Sequence, residues 1–172
     1  MKIGTKSLIF GIHQIFIHPI VVYRAWKYLY GRPTSKELIC IIIHDWGYFG
    51  KPNLDGEEGT THPEGGAKIA NFLLGTEYRD LCLTHSRHYA RKLGMIPSKL
   101  CWADKLSFAF ESKKFYLFRA RLSGEIKELR ELANKEGFVR KEATNEEWFE
   151  VVLGFVKEMS ETKTNGIFMH QE

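Results

Sequence analysis

The chain has no run of like charge, no low-complexity stretch, no internal repeat and no useful length of alternating apolar and polar residues. The missing alternation argues against a sheet, the missing repeat against a solenoid, and the missing compositional bias against disorder. Lysine and arginine do not gather into one stripe and no nucleic-acid recognition motif is present, so a specific nucleic-acid binder is disfavoured. Cysteine is scarce. Cys40, Cys82 and Cys101 are odd in number, far apart and each set among apolar residues, which reads as buried reduced thiols in a cytoplasmic protein rather than as staples. No apolar run reaches the roughly 20 residues that a membrane span needs. The nearest candidate, Ser7 to Val22, is interrupted by His13, Gln14, His18 and Pro19 and reads as a buried helix and its approach.

What is present is apolar mass. Of 172 residues, 44% are hydrophobic, enough for one sizeable core without disulfides. The expectation is a single domain over 1–161 and a loose tail over 162–172. The 25 basic and 21 acidic residues are interspersed and leave a net charge of +4. That balance suits an anionic small molecule as partner. The sequence leaves the oligomeric state open.

Helical signals recur along the chain. Gly31-Arg32-Pro33 is followed by Thr34 and, three residues on, Glu37, the spacing of a capping box. The run Leu38 to Ile43 is apolar all round and marks a central helix. Gly47 through Gly59 is rich in glycine, proline and acid and reads as the longest exposed loop. Thr61 with Glu64 repeats the box before a helix that Gly75 stops. Further helices are expected from Glu77 to about His88, from Ser98 through Phe110, from Lys113 to about Glu136 with a bend at Gly124, and from Thr144 to near Met159. The fold class is all-α. The aromatic run Phe108, Phe110, Phe115, Tyr116 and Phe118 reads as core or interhelix packing.

Six potential metal ligands fall at starts, ends or inner faces of these helices: His18, the pair His44-Asp45, His62, His85 and Asp104. Taken singly, each histidine reads as structural; taken together they do not. An ionisable pair directly after Ile41-Ile42-Ile43 is costly to bury unless a compensating charge is present, and a divalent cation is the strongest one available. Consecutive helical residues point about 100° apart, so both reach one centre most easily at a helix end, which Gly47 supplies. Imidazole and carboxylate together suit iron, manganese, zinc, cobalt or nickel, with magnesium at the carboxylates.

His18 in His-Pro-Ile-Val-Val-Tyr-Arg-Ala-Trp, His44-Asp45-Trp-Gly, His62-Pro-Glu-Gly-Gly-Ala, Thr-His85-Ser and Ala-Asp104-Lys together resemble the ordered H, HD, H, H, D signature of the HD-domain phosphohydrolase superfamily. The resemblance covers His18 to Phe110, with no counterpart in the C-terminal helices of 113–160. It implies a helical bundle in which His18, His44, Asp45 and Asp104 bind one metal. His62 and His85 resemble the added histidines of dinuclear members, in which the aspartate of the pair bridges two ions, iron or manganese being favoured. That richer pattern is similar to HD hydrolases of dinucleoside polyphosphates and to the HD-GYP cyclic-dinucleotide phosphodiesterases. The chain departs from the latter, with Tyr48 where their pattern has lysine and no downstream Gly-Tyr-Pro.

The resemblance therefore implies a phosphohydrolase that cleaves a phosphoester or phosphoanhydride in a nucleotide-type substrate through a metal-activated bridging water, with Asp45 as the catalytic bridge. Two alternatives use the same residues, a di-iron HD oxygenase and a degenerate HD module that senses a nucleotide or a partner. Arg24, Lys51, Arg87, His88 and Lys105 lie near the ligands in sequence and are the candidates for phosphate contact. His88 is also the alternative to His85 as ligand, although the family spacing favours His85. His13 and His170 lie outside the pattern and receive no role.

Overall fold

The computed structural model describes the backbone of residues 1–168 and the side-chain surroundings of residues 1–159. Among the described residues there are α-helices and short 3₁₀ turns but no strand, so the chain is all-α. In order these are α1 (Ile3–Phe10), α2 (Ile17–Tyr30), α3 (Ser35–Ile43), α4 (Pro63–Leu74), α5 (Thr76–Leu83), α6 (Arg87–Lys92), α7 (Lys99–Ser107), α8 (Lys113–Ser123), α9 (Glu125–Lys135) and α10 (Asn145–Phe168). The 3₁₀ turns span Trp46–Tyr48, Gly59–Thr61 and Phe108–Phe110. No described helix is long and apolar enough to cross a membrane.

Two capping boxes form as their spacing predicts. Thr34 Oγ1 accepts from the Glu37 amide at 3.2 Å while the Glu37 carboxylate accepts from the Thr34 amide at 2.8 Å, and Thr144 and Glu147 make the same reciprocal pair at 3.1 and 2.7 Å. Each satisfies donors that a helix start leaves orphaned. The Thr61–Glu64 box does not form. A 3₁₀ turn carries the chain through Thr61, whose hydroxyl donates to the Glu58 carbonyl at 2.7 Å, and Glu64 instead accepts from the Tyr89 hydroxyl. Helix α4 starts at Pro63, where a missing amide costs nothing.

Other boundaries also differ from expectation. The helix from Glu77 ends at Leu83 because Thr84 turns out of helical geometry, its hydroxyl donating to the Asp80 carbonyl at 2.6 Å and its carbonyl accepting from the Ser98 amide at 3.1 Å. The charged helix from Lys113 is two helices, since Gly124 adopts a left-handed conformation (φ 88°) that breaks the hydrogen-bond ladder rather than bending it. The Gly47–Gly59 segment is not wholly exposed: Tyr48 and Leu54 are buried against Leu8. Helix α10 runs on through Thr162 to Phe168, each further residue adding a hydrogen bond with no proline to stop it. The remainder of the stretch expected to be loose, residues 169–172 with His170, lies outside the described residues.

The main core lies where α2, α3, α4, α5 and α7 meet and is built on Trp26, Ile41, Ala70, Leu100 and Ala103. Truncating a fully buried side chain such as Ile41 to alanine in such a core costs about 2–5 kcal/mol. A second cluster, with Tyr116, Leu117, Ala120, Trp148 and Phe149, binds α8, α9 and α10 together and receives Ile12 from the α1–α2 connection. The polar residues described next lie between these two apolar masses, where helix ends converge.

Candidate metal centre

The six residues expected as ligands come together. The apolar run of α3 is buried on one face only, through Cys40, Ile41 and Ile43, with Leu38 and Ile42 exposed, and His44 and Asp45 follow at its end, where the chain turns into the 3₁₀ segment Trp46–Tyr48. The start of α4 presses against this turn. A Cβ on Gly66 would lie 2.6 Å from the Ile43 carbonyl and 2.7 Å from that of His44, and a Cβ on Gly47 would collide with the carbonyl of His62. Glycine at these positions is what brings His62 up to the His44-Asp45 turn. His18 arrives from the first turn of α2, His85 from the break after α5, and Asp104 from α7.

Ligand atoms of His18, His44, Asp45 and Asp104 all lie within 4.8 Å of one another, as do those of Asp45, His62 and His85. Asp45 belongs to both groups and divides its oxygens between them. Oδ2 faces His18 Nε2 at 3.1 Å and His44 Nε2 at 3.2 Å, while Oδ1 faces His85 Nε2 at 3.4 Å and His62 Nε2 at 3.6 Å. Asp104 Oδ1 closes the first group at 3.1 Å from His18 and 3.7 Å from His44.

Three of the rings are oriented by one backbone device. His44 Nδ1 donates to the Ile41 carbonyl at 2.9 Å, His62 Nδ1 to the Gly59 carbonyl at 2.8 Å, and His85 Nδ1 to the Cys82 carbonyl. Each donation is to the carbonyl three residues upstream, and each places the lone pair on Nε2, turned toward Asp45. The Nε2 atoms of His62 and His85 then stand 3.1 Å apart. Two lone pairs at that distance need a proton or a cation to reconcile them. Tyr48 stacks flat on His62, with ring centroids 3.9 Å apart and planes 11° from parallel. The tyrosine at the departure from the HD-GYP pattern thus buttresses a candidate ligand.

The electrostatics are those of a site built for positive charge. Burial opposes charging His18, yet hydrogen bonds and charges from Asp104 and Asp45 outweigh it and lift its pKa to about 9. His44 is raised well above its ordinary value by the same carboxylates against the same burial. Asp45 and Asp104 are held well below the usual carboxylate range, burial being overcome by the surrounding imidazoles. His62, with burial and the neighbouring His85 ring both opposing its charge, falls to about 3. His18 Nε2, His44 Nε2 and Asp45 Oδ2 are buried without a well-formed hydrogen bond although they lie so close together. Donor atoms that crowd one another without pairing fit a cation held in common, and the nitrogen and oxygen set fits a divalent transition metal. These buried groups could hold a metal ion.

The residues expected to contact phosphate divide. Arg87 and Lys105 line a cavity that reaches His18 and Asp104. Lys51 is held by the Thr61 hydroxyl, Arg24 projects from an exposed position on α2, and His88 is exposed with its ring edge-on to Tyr89; none of these three lines that cavity. His85, rather than His88, sits in the cluster.

Two residues without an assigned role belong to the surroundings of the centre. His13 Nε2 lies 4.0 Å from Asp45 Oδ2, and its ring meets His18 edge-on. Behind it stands Glu125, fully buried at the start of α9. The Glu125 carboxylate accepts from the Ser7 and Ser123 hydroxyls and, at 2.9 Å, from the Ile12 amide, and lies 3.5 Å from His13 Nδ1. Burial raises its pKa, but His13 and the two serines bring it below its ordinary value. Glu125 reads in sequence as an ordinary acidic first-turn residue, and apart from Ser123 its partners lie over a hundred positions away, so no local signal marks it.

Compared with family models, with curated proteins and with solved structures, the chain has no match.

Proposed function

We propose that this chain is an HD-type, metal-dependent phosphohydrolase that cleaves a phosphoester or phosphoanhydride bond in a small phosphorylated molecule, with nucleotides the first class to screen. The observation that carries the reading is the division of Asp45, one carboxylate oxygen toward His18 and His44 and the other toward His62 and His85. His18, His44, Asp45 and Asp104 would hold one ion and Asp45, His62 and His85 a second. Iron or manganese suits this set. Bound there, two divalent cations supply positive charge for the phosphoryl oxygens and a lowered pKa for the attacking water.

The chain's own residues do the rest. The backbone carbonyls of Ile41, Gly59 and Cys82 keep three imidazoles in the tautomer that presents Nε2. Asp45 would serve both ions, and its burial keeps bulk water from competing for its oxygens. Lys105 and Arg87 line the same cavity as Asp104 and His18, by which an anionic substrate would approach.

The test is metal analysis of protein expressed in metal-replete medium, followed by a panel of nucleotides and aryl phosphates with added iron, manganese or cobalt. Phosphate or phosphomonoester release by the wild type, abolished in Asp45→Ala, is the expected result. Protein that carries metal and is silent across the panel, or that consumes dioxygen instead, overturns the proposal.

A further inference from the structure

We propose that the cavity beside the metal centre seats an apolar organic group, so that the substrate is a phosphoester of an alkyl or aryl alcohol rather than of a nucleoside. This rests on the hydrolase reading above and narrows it.

The cavity has a volume of about 310 Å³. With roughly 10–15 Å³ of such space needed to hold one water, it accepts on the order of twenty non-hydrogen atoms. One end is formed by His13, His18 and Asp104 and the other by apolar side chains of α9 and α10, among them Leu129, Leu132, Val152 and Val156. A phosphoryl group at the metal end leaves the apolar end unfilled. Arg87 and Lys105 stand at the polar end and make no ion pair among the described residues. The arrangement matches an amphiphile: anionic head at the His/Asp cluster, cations beside it, apolar body between the C-terminal helices.

The wall argues against a base. A buried nucleobase leaves its polar edge unpaired unless the pocket returns donors and acceptors to it. Among the described residues no Asn, Gln or Thr lines the cavity, and its neutral polar groups are the Ser107 and Tyr116 hydroxyls and the Trp148 indole N–H, too few to match the several donors and acceptors of a base. Glu111 is committed to Arg119, and Glu136 is exposed. The mouth is apolar as well, since Phe138, Val151 and Phe155 line the cavity while remaining 45%, 44% and 42% exposed. A bound apolar group would cover part of that surface.

The test uses methyl-, butyl- and octylphosphonate, which carry the anionic head but no ester to hydrolyse, with binding measured by isothermal titration calorimetry on the manganese-loaded full chain. The expected result is affinity that rises about fourfold per methylene across the series, with adenosine monophosphate bound no more tightly than butylphosphonate. Leu132→Trp, which shortens the cavity, should weaken octylphosphonate at least tenfold and leave methylphosphonate unchanged. Should that variant not fold, the chain-length series on the wild type decides alone. Affinity independent of chain length, or adenosine monophosphate bound more tightly than octylphosphonate, overturns the proposal. Length-dependent binding with no phosphoester hydrolysed sinks the hydrolase reading and keeps the cavity; hydrolysis indifferent to the organic group does the reverse.

Discussion

Glu125→Gln is the perturbation whose size follows most directly from the structure. The carboxylate is fully buried and accepts from two hydroxyls and a backbone amide, with the His13 ring beside it. Glutamine keeps the shape but offers one acceptor oxygen and turns an NH₂ group on donors. At least one charge-assisted hydrogen bond, about 1.5–3 kcal/mol, disappears and the others become neutral. The total loss expected is about 3–5 kcal/mol, in the range for breaking a buried charged network. At roughly 2–4 °C per kcal/mol for a chain of this size, the Tm falls by on the order of 10 °C. The pH dependence has a definite sign. Folding lowers the Glu125 pKa below its ordinary 4.5, so its contribution is fully present above that value and is lost as pH falls through the folded pKa. The gap between wild type and variant should therefore narrow as pH falls below that value, by the part of it that the pKa shift carries. Thermal unfolding followed by far-UV circular dichroism from neutral pH down through that value measures it. A gap below about 1 kcal/mol near neutral pH, or one that does not narrow in acid, would refute the assignment of Glu125 as an ionised strut.

Two further outcomes test the centre itself. His62→Ala removes a residue from the second group while leaving His18, His44, Asp45 and Asp104 intact, so metal per chain by mass spectrometry should drop from about two to about one; retention of both ions would refute the shared Asp45. Metal loading should also release protons, because His18, with a pKa of about 9, and His44, raised well above its usual value, must give up Nε2 to a cation. Calorimetry near pH 7 in buffers of differing ionisation enthalpy should report release of about two protons per chain and affinity that strengthens as pH rises toward 9; proton-neutral binding would place the ion elsewhere.

The all-α class and the six candidate ligands were legible because each has a local signature. The apolar run of α3 marks a helix whose Ile41 and Ile43 are buried, although it does not show that Leu38 and Ile42 face outward, and the histidines and aspartates recur in order at helix ends. The role of the glycines in His44-Asp45-Trp-Gly and His62-Pro-Glu-Gly-Gly was less visible. Gly47 and Gly66 matter through contact between two turns, which spacing does not encode. His13 was passed over because its partner Glu125 is remote in sequence and looks like a solvated charge. The aromatic run from Phe108 to Phe118 was half legible: Tyr116 packs with Phe108 and Phe149, whereas Phe115 and Phe118 are exposed. Periodicity finds the helix but does not say which face meets a neighbour.

The division between the motif-bearing half and the C-terminal half is also a division of labour. The residues resembling the HD pattern end near Phe110, and they supply every candidate ligand. Among the described residues helices α8, α9 and α10 supply none, yet Glu125 at the head of α9 supports the loop that carries His13 to within 4.0 Å of Asp45, and α9 and α10 form the apolar end of the adjoining cavity. Gly124 joins the two functions. Its left-handed turn ends α8 so that Ser123 and Glu125 face Ser7 and Ile12, and it redirects α9 so that Leu129 and Leu132 line the cavity. An uninterrupted helix across this point would carry Glu125 and Leu132 onward along the axis of α8 instead of along the separate axis of α9. The chemistry would reside in the first half of the chain, and the choice of what reaches it in the second.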